Sequence, residues 1–466
     1  MISNLTRRDP IYLAAILFWC VAVAARGQDT AEMREVLTRL DRLEKDNQAL
    51  TEEIRALRQQ LAAASRPPNA AADPQSASTP APTAEEAAVQ QNRIDELAQT
   101  KVEASQKFPI RITGMALFNA YRNGNDNNQS ENPTIASLTP GAATGGGTLR
   151  QTTLGLLFNG PATFLGGNVT GSVYFDFYGG STASLNHLAR LRTADITLDW
   201  GNTSLLVGQE KPIISPRDPD SLAQVGVLPL TGSGNLWLWQ PQVRLGQRIS
   251  LGGDAGLTAQ VGVFQTSSLD TASDQYSYAG PVPTQQMENS SPGAEARLML
   301  WRRWGETGRL EIAGGFHVNR NHIGEYSLPS NIYSLDWFFR PNPKIEFSGM
   351  FFHGRNVAVL GGLQQGYQVL PGGGWGSVGS NGGWAQLRFP VTRRLAFDVY
   401  GGQQDDVNAD LLPGYIGKNQ AYFANAMYRI APNVIVSLES GQVRTLYLQY
   451  GNRLNNHYDL GVAYLF

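Results

Sequence analysis

The chain is short of charge, of cysteine and of long apolar runs. Asp, Glu, Lys and Arg make up only 16% of its 466 residues, against roughly 25% in a soluble domain, so an ordinary cytosolic enzyme is a poor fit. A formal net charge of -2 argues against a basic nucleic-acid binder. Beyond Ala25 no stretch approaches the ~20 apolar residues that a membrane-spanning helix needs, which excludes a helical membrane protein. The single cysteine, Cys20, lies inside an early apolar run. If that run is removed, disulfides, thiolate nucleophiles and cysteine metal sites go with it. The whole chain is 42% hydrophobic and holds 50 Gly. A secreted β protein and an outer-membrane barrel survive, because alternating strands can face lipid without any contiguous apolar stretch.

Arg7 and Arg8 precede the apolar run Ile11 to Ala25, the pattern of a signal peptide over residues 1–27. Cleavage after Ala24 and cleavage after Gly27 both fit the small residues there. From Met33 the apolar positions step alternately by three and four through Leu40, Leu43, Asn47, Leu50, Ile54 and Leu57 to Leu61. This heptad seam predicts a coiled-coil oligomerisation segment over 28–61, with Asn47 fixing register and the choice between two and three strands left open. A single amphipathic helix lying on another surface is the alternative. Residues 62–107 are Ala/Pro-rich at first and end in a possible short helix from Glu85 to Lys107, which reads as a semi-rigid spacer.

After Phe108 the period changes to two and stays there. Tyr458, Leu460, Val462, Tyr464 and Phe466 share one face of the last segment, and such a strand ending on Phe resembles the signal that outer-membrane proteins present to their insertion machinery. Short connections are expected at 160–168, 201–203, 250–256, 305–308, 341–343, 390–393 and 431–433. They alternate with longer ones at 122–148, 179–189, 212–236, 267–292, 321–327, 356–381, 404–419 and 444–455. Seven turns and eight loops join sixteen strands, and the uncertainty of strand ends leaves eighteen open. The fold class expected over 108–466 is therefore an all-β, antiparallel transmembrane barrel, with turns in the periplasm and loops outside.

A charged side chain on the lipid face at mid-membrane costs roughly 2–4 kcal/mol. That test, applied to the alternation, sends Arg111, Arg244, Arg297, Arg388, Glu295, Glu311, His317, Gln242 and Gln386 into the lumen. Arg190 and Arg192 share parity with Ile196 and Leu198, so their face stays open unless a bulge intervenes. From Phe108 onward 21 Arg and 3 Lys stand against 24 Asp plus Glu, so any charge preference must come from placement. Guanidinium groups that fork onto carboxylate or phosphate suit an anion path; equally, these arginines could pair with luminal acids and hold the wall. The loop 212–236 carries Ile213, Ile214, Val225, Val227, Leu228 and Leu230, poorly suited to an exposed tip. Folding it inward would bury them and bring Lys211, Arg217, Asp218 and Asp220 to a constriction; an apolar contact between subunits is the alternative.

The segments Arg150-Gln151-Thr152-Thr153-Leu154-Gly155, Asp176-Phe177-Tyr178-Gly179-Gly180, Leu191-Arg192-Thr193-Ala194, Val207-Gly208-Gln209 and Gln240-Pro241-Gln242-Val243-Arg244 occur in order. Together they resemble the DcaP-like trimeric porins of the bacterial outer membrane, best over 108–250, with looser similarity to phosphate-selective and sucrose-type porins. The chain departs from the family pattern at Thr153, where a second arginine is expected, and at Thr193, where a histidine-like polar residue is expected. The resemblance implies a periplasmic coiled coil, a homotrimer, a sixteen-stranded barrel and passage of small anionic solutes such as dicarboxylates. The expected function is a passive outer-membrane diffusion channel for small hydrophilic solutes. The alternatives are a sugar or general-diffusion porin, or a tether to peptidoglycan whose barrel is mainly an anchor. Outer-membrane lipid and the barrel-insertion machinery are the other expected partners. The five histidines lack metal-ligand spacing and no GxSxG elbow occurs, so no enzyme, cofactor, metal site or nucleic-acid partner is expected.

Overall fold

Alternation of apolar and small or polar residues at period two is what a half-buried strand requires, and from Ile110 onward the chain forms strands wherever it persists. The computed structural model describes residues 110–179, 187–265, 292–323, 326–363 and 365–466. The signal-peptide, coiled-coil and linker segments over 1–107 lie outside the described residues.

The strands are β1 (Ile110–Asn123), β2 (Thr144–Thr148), β3 (Thr153–Ala162), β4 (Asn168–Gly179), β5 (Leu188–Asp199), β6 (Thr203–Glu210), β7 (Gln240–Gly252), β8 (Ala255–Phe264), β9 (Gly293–Trp304) and β10 (Gly308–Ile323). They continue as β11 (Tyr326–Asn342), β12 (Ile345–Arg355), β13 (Tyr367–Val369), β14 (Trp375–Ser377), β15 (Gly379–Pro390), β16 (Leu395–Asp406), β17 (Ile416–Ala431), β18 (Val434–Tyr447) and β19 (Gly451–Leu465). β2 and β3 are two parts of one strand, since both pair antiparallel with β1 along its length. β13 and β14 form a separate hairpin inside a loop. The other sixteen staves pair antiparallel in chain order, and β1 pairs with β19 from Met115↔Leu465 to Asn123↔His457. The barrel is closed with sixteen strands.

Closure is tight at the end of the chain. Gly114 exchanges backbone hydrogen bonds with Phe466 at 3.0 and 3.2 Å, and a Cβ on Gly114 would sit 2.4 Å from the Thr153 carbonyl oxygen and 2.9 Å from the Phe466 ring. Glycine is required there by the approach of two neighbours at once. The outward face is apolar all round: Ile112, Ile196, Leu298, Leu335, Phe351, Val399, Leu438, Tyr458, Leu460, Val462, Tyr464 and Phe466 are exposed, as a lipid-facing belt with aromatic borders requires.

Four of the expected loops are shorter by several residues than the sequence suggests. The strands flanking 122–148, 321–327, 404–419 and 444–455 run on, leaving connections of 124–143, 324–325, 407–415 and 448–450. Past the lipid belt both faces of a strand meet polar surroundings, so the alternation fades before the pairing does. Arginine placed on the belt at Leu438, which is 61% exposed, is expected to lower the unfolding free energy of the barrel in vesicles by about 2–4 kcal/mol, measured by denaturant titration against the wild type.

Candidate functional site

The loop between β6 and β7, residues 211–239, enters the barrel. Its prolines, Pro212, Pro216, Pro219 and Pro229, favour an irregular path, and its apolar side chains cannot face water without cost. Ile213, Ile214, Val227, Leu228, Leu230, Leu236 and Trp237 are buried. Ile214, Leu230 and Leu236 join Ile332, Met350, Phe352, Trp384, Tyr400, Phe423 and Val443 of the barrel wall in one cluster. A second loop, 356–378, contributes Val357, Val359 and Leu360 to the same cluster, and the Leu360 carbonyl accepts from the amides of Trp237 and Leu238 at 2.9 and 3.1 Å. Gly234, with φ +107°, passes so close to the wall that a Cβ would meet the Gly383 carbonyl oxygen at 2.2 Å.

Short polar side chains of the wall fasten the loop backbone. The Gln151 amide donates to the Ala223 carbonyl at 2.7 Å, and its oxygen accepts from the amides of Val225 and Gly226 at 2.6 and 3.0 Å. Asn119 donates to the Leu222 carbonyl at 2.8 Å and to Asp459 at 2.9 Å. Asn425 donates to the Asp220 carbonyl at 3.0 Å, Glu439 accepts from Ser221 at 2.7 Å, and Gln386 accepts from the Asp220 amide at 3.0 Å. Glu295 accepts from the Ile213 amide at 2.5 Å and meets His317 Nδ1 at 2.9 Å, while the His317 ring stacks on Phe264.

The arginines are shared among carboxylates. Arg297 forks onto Asp336 with two bonds of 2.8 Å. Arg217 contacts Glu311 and also Asp336 at 3.3 Å, and Arg309 contacts Glu311 as well. Arg388 bridges Asp220 at 2.7 Å and Asp398 at 3.5 Å. Arg244 bonds to Gln242 at 2.8 Å and to the Lys211 carbonyl at 2.7 Å; no carboxylate contact is present for it among the described residues. Lys211 pairs with Asp218. Burial lowers the Lys211 ammonium to about 8, with Glu210 opposing the shift and Arg192 adding to it. Arg111 has the inward parity of Leu117 and Asn119 and lies exposed near the barrel rim that carries the short β3–β4 connection, where it pairs with Leu157.

Arg190 and Arg192, left open by parity, face inward. A register shift between Tyr174 and Phe175 places the extra residue between Leu191 and Thr193, and a bulge of this kind re-aims side chains. Arg190 forks onto Asp176 at 3.0 and 2.5 Å, Arg192 reaches the same carboxylate at 3.3 Å, and the two donate to the Gly226 and Val225 carbonyls. Sequence reasoning also passed over Asp336, Asp398 and Glu439. The test used for the arginines would have found each of them, since each alternates with lipid-facing neighbours. Between loop and wall lies a cavity of about 390 Å³, lined by Lys211, Arg217, Asp220, Phe338, Gln386 and Arg388 among others. Gln151→Leu would leave two loop amides and a carbonyl without their partner, a loss of about 1–3 kcal/mol for each buried group. A larger and noisier single-channel conductance in planar bilayers is the expected result.

Comparison with known proteins bears on the fold. No family model and no curated protein sequence matches the chain. Among solved structures, the outer membrane channel DcaP of Acinetobacter baumannii is similar with a TM-score of 0.61 at 17% identity, covering 77% of this chain and 97% of that one. An anion-selective porin from Comamonas acidovorans is similar with a TM-score of 0.51 at 12% identity, covering 77% and 99%. The chain has the fold of the outer-membrane porins, that of the DcaP channel among them.

Proposed function

We propose that the protein is a passive diffusion channel of the outer membrane for small hydrophilic solutes, with a preference for anions such as carboxylates. The observation that carries the channel reading is the polar cavity between an inward loop and the wall of a closed sixteen-stranded barrel. A barrel of this size is wider than an anchor needs, and affinity for the solute has to stay weak for flux.

The anion preference rests on places where guanidinium groups outnumber the carboxylates they touch. Arg190 and Arg192 share Asp176. Arg217, Arg297 and Arg309 share Glu311 and Asp336, and Arg244 contacts none among the described residues. On the same side of the cavity Arg217, Arg309 and Arg340 stand 5.2, 5.5 and 5.9 Å from the Phe338 ring centre. Planar forks with spare donors suit a passing carboxylate. The reverse holds at Arg388, which touches two carboxylates, and this favours an unselective or sugar pore as the second reading. The trimer, with a coiled coil over 28–61 holding it together in the periplasm, belongs to the same proposal, as does recognition of the strand ending in Phe466 by the insertion machinery.

The reversal potential of the purified full-length protein under a salt gradient tests the selectivity. An anion-selective potential is expected to shrink in Arg244→Gln. Arg297→Gln is expected to act mainly on stability, lowering it by about 3–5 kcal/mol because Asp336 loses its buried fork. A cation-selective or unselective wild type would instead support the second reading.

Selectivity also depends on pH through Lys211. Its ammonium, lowered to about 8, is charged at neutral pH and loses its proton as pH rises through that value. Anion preference is therefore expected to fall between pH 7 and pH 9, and Lys211→Met is expected to abolish that change in the same bilayer measurement.

A further inference from the structure

A groove of about 650 Å³ lies on the outer face of the barrel wall across β16–β19 and β1. Its floor is made of small side chains, Ala120, Ala424, Ala426 and Ser440, and its walls of Phe397, Leu438, Tyr458 and Leu460. The registers Ala120↔Leu460↔Leu438↔Ala426↔Phe397 and Arg122↔Tyr458↔Ser440↔Ala424 make these two adjacent rows on one face. The groove is therefore set by the choice of small residues between large ones, on a surface that elsewhere bulges into lipid.

Its two ends differ. β19 runs inward from the 448–450 loop, so Asn456 and Tyr458 lie on the outer-leaflet side and Tyr464 towards the periplasm. On the outer side the row Asn456, Gln442 and Tyr422 is polar and joined by hydrogen bonds, Gln442 to Asn456 at 2.9 Å and Tyr422 to Gln442. Arg122 stands at that border, exposed and outward-facing, with no ion pair among the described residues. An unpaired guanidinium at the edge of a lipid-facing belt is costly unless it meets an anion, and phosphate is the partner its fork fits best.

We propose that this groove binds a phosphorylated lipid of the outer leaflet, an acyl chain lying over Ala424, Ala426 and Ser440 and the headgroup phosphate on Arg122. The apolar length takes the chain by burial, and the polar row takes the sugar or glycerol hydroxyls beside the phosphate. The alternative occupant is the wall of a second copy of the chain.

The test is retention of purified diphosphorylated lipid A, and of the same lipid after dephosphorylation, by the full-length protein in detergent, read by native mass spectrometry. The wild type is expected to retain the phosphorylated form about tenfold better than the dephosphorylated one, the scale of one charge-assisted contact. Arg122→Gln is expected to remove that discrimination, and Ala424→Leu to weaken retention of both forms. Heat-modifiable mobility on gels checks that each variant is a folded barrel. Equal retention of both lipids by the wild type, or unchanged retention in both folded variants, would overturn the proposal. So would Ala424→Leu breaking the oligomer while lipid retention stays the same, which would give the groove to a second copy. A non-conducting wild type that still discriminates between the lipids would leave this site standing and remove the channel reading instead.

Discussion

Everything in this molecule depends on closure of the sheet between β1 and β19. Hydrocarbon offers no hydrogen-bond partner, so every backbone donor and acceptor at membrane depth must be satisfied within the protein. An open edge along either strand would leave a row of such groups in lipid. The nine paired positions from Met115↔Leu465 to Asn123↔His457 remove that edge, and Gly114 lets Phe466 complete the last step. Closure then fixes two faces for every strand. One must be apolar because it meets lipid; the other is free to carry the charges that lipid would exclude.

The inner face creates a second constraint. Sixteen strands enclose more space than their own side chains fill, and the chain fills part of it with loops. The loops 211–239 and 356–378 bring an apolar cluster into the barrel, where Ile214, Val359 and Leu360 are fully buried beside Phe352 and Trp384. Burial alone is non-directional and would not fix where a proline-rich loop lies. Position comes from the polar side chains of the wall. Gln151, Asn119, Asn425 and Glu439 each meet a particular backbone group or side chain of residues 220–226, so the register of the strands becomes the register of the loop.

Strand number, topology and the inward parity of Arg244, Arg297, Arg388, Glu295, Glu311 and His317 were legible because lipid imposes alternation, and alternation is local in sequence. Three kinds of feature were less so. The strand ends beyond the belt lose the signal, which is why 444–455 read as a loop although only 448–450 leaves the ladder. The bulge near Arg192 reverses parity within one strand; two arginines on the parity of Ile196 and Leu198 raise that option, but no residue around Leu191 fixes where the bulge falls. The role of Val357, Ala358, Val359 and Leu360 was missed because their short apolar run looks like any other loop segment. The ion-pair partners of the arginines are the hardest case: Arg297 and Asp336, or Arg217 and Glu311, are far apart in sequence and meet only through the fold.

Those partners decide how the lumen is divided. Where loop and wall touch, the bonds are made by short side chains reaching backbone directly, such as Gln151 to Ala223 or Asn119 to Leu222. Around the cavity the connections are mostly long arms: Arg217 extends from the loop to Glu311 and Asp336, and Arg388 extends from the wall to Asp220. A short amide leaves no room between what it joins, whereas an arginine spans a gap and keeps it. Gln386, bonded to the Asp220 amide, marks the edge where one regime gives way to the other. The Asp220 side chain is 54% exposed, so its pairing with Arg388 is screened by water and weak. The same half-buried arginines thus hold the loop in place and leave open the space beside it, while the buried amide bonds of Gln151 and Asn119 fix the loop independently of them.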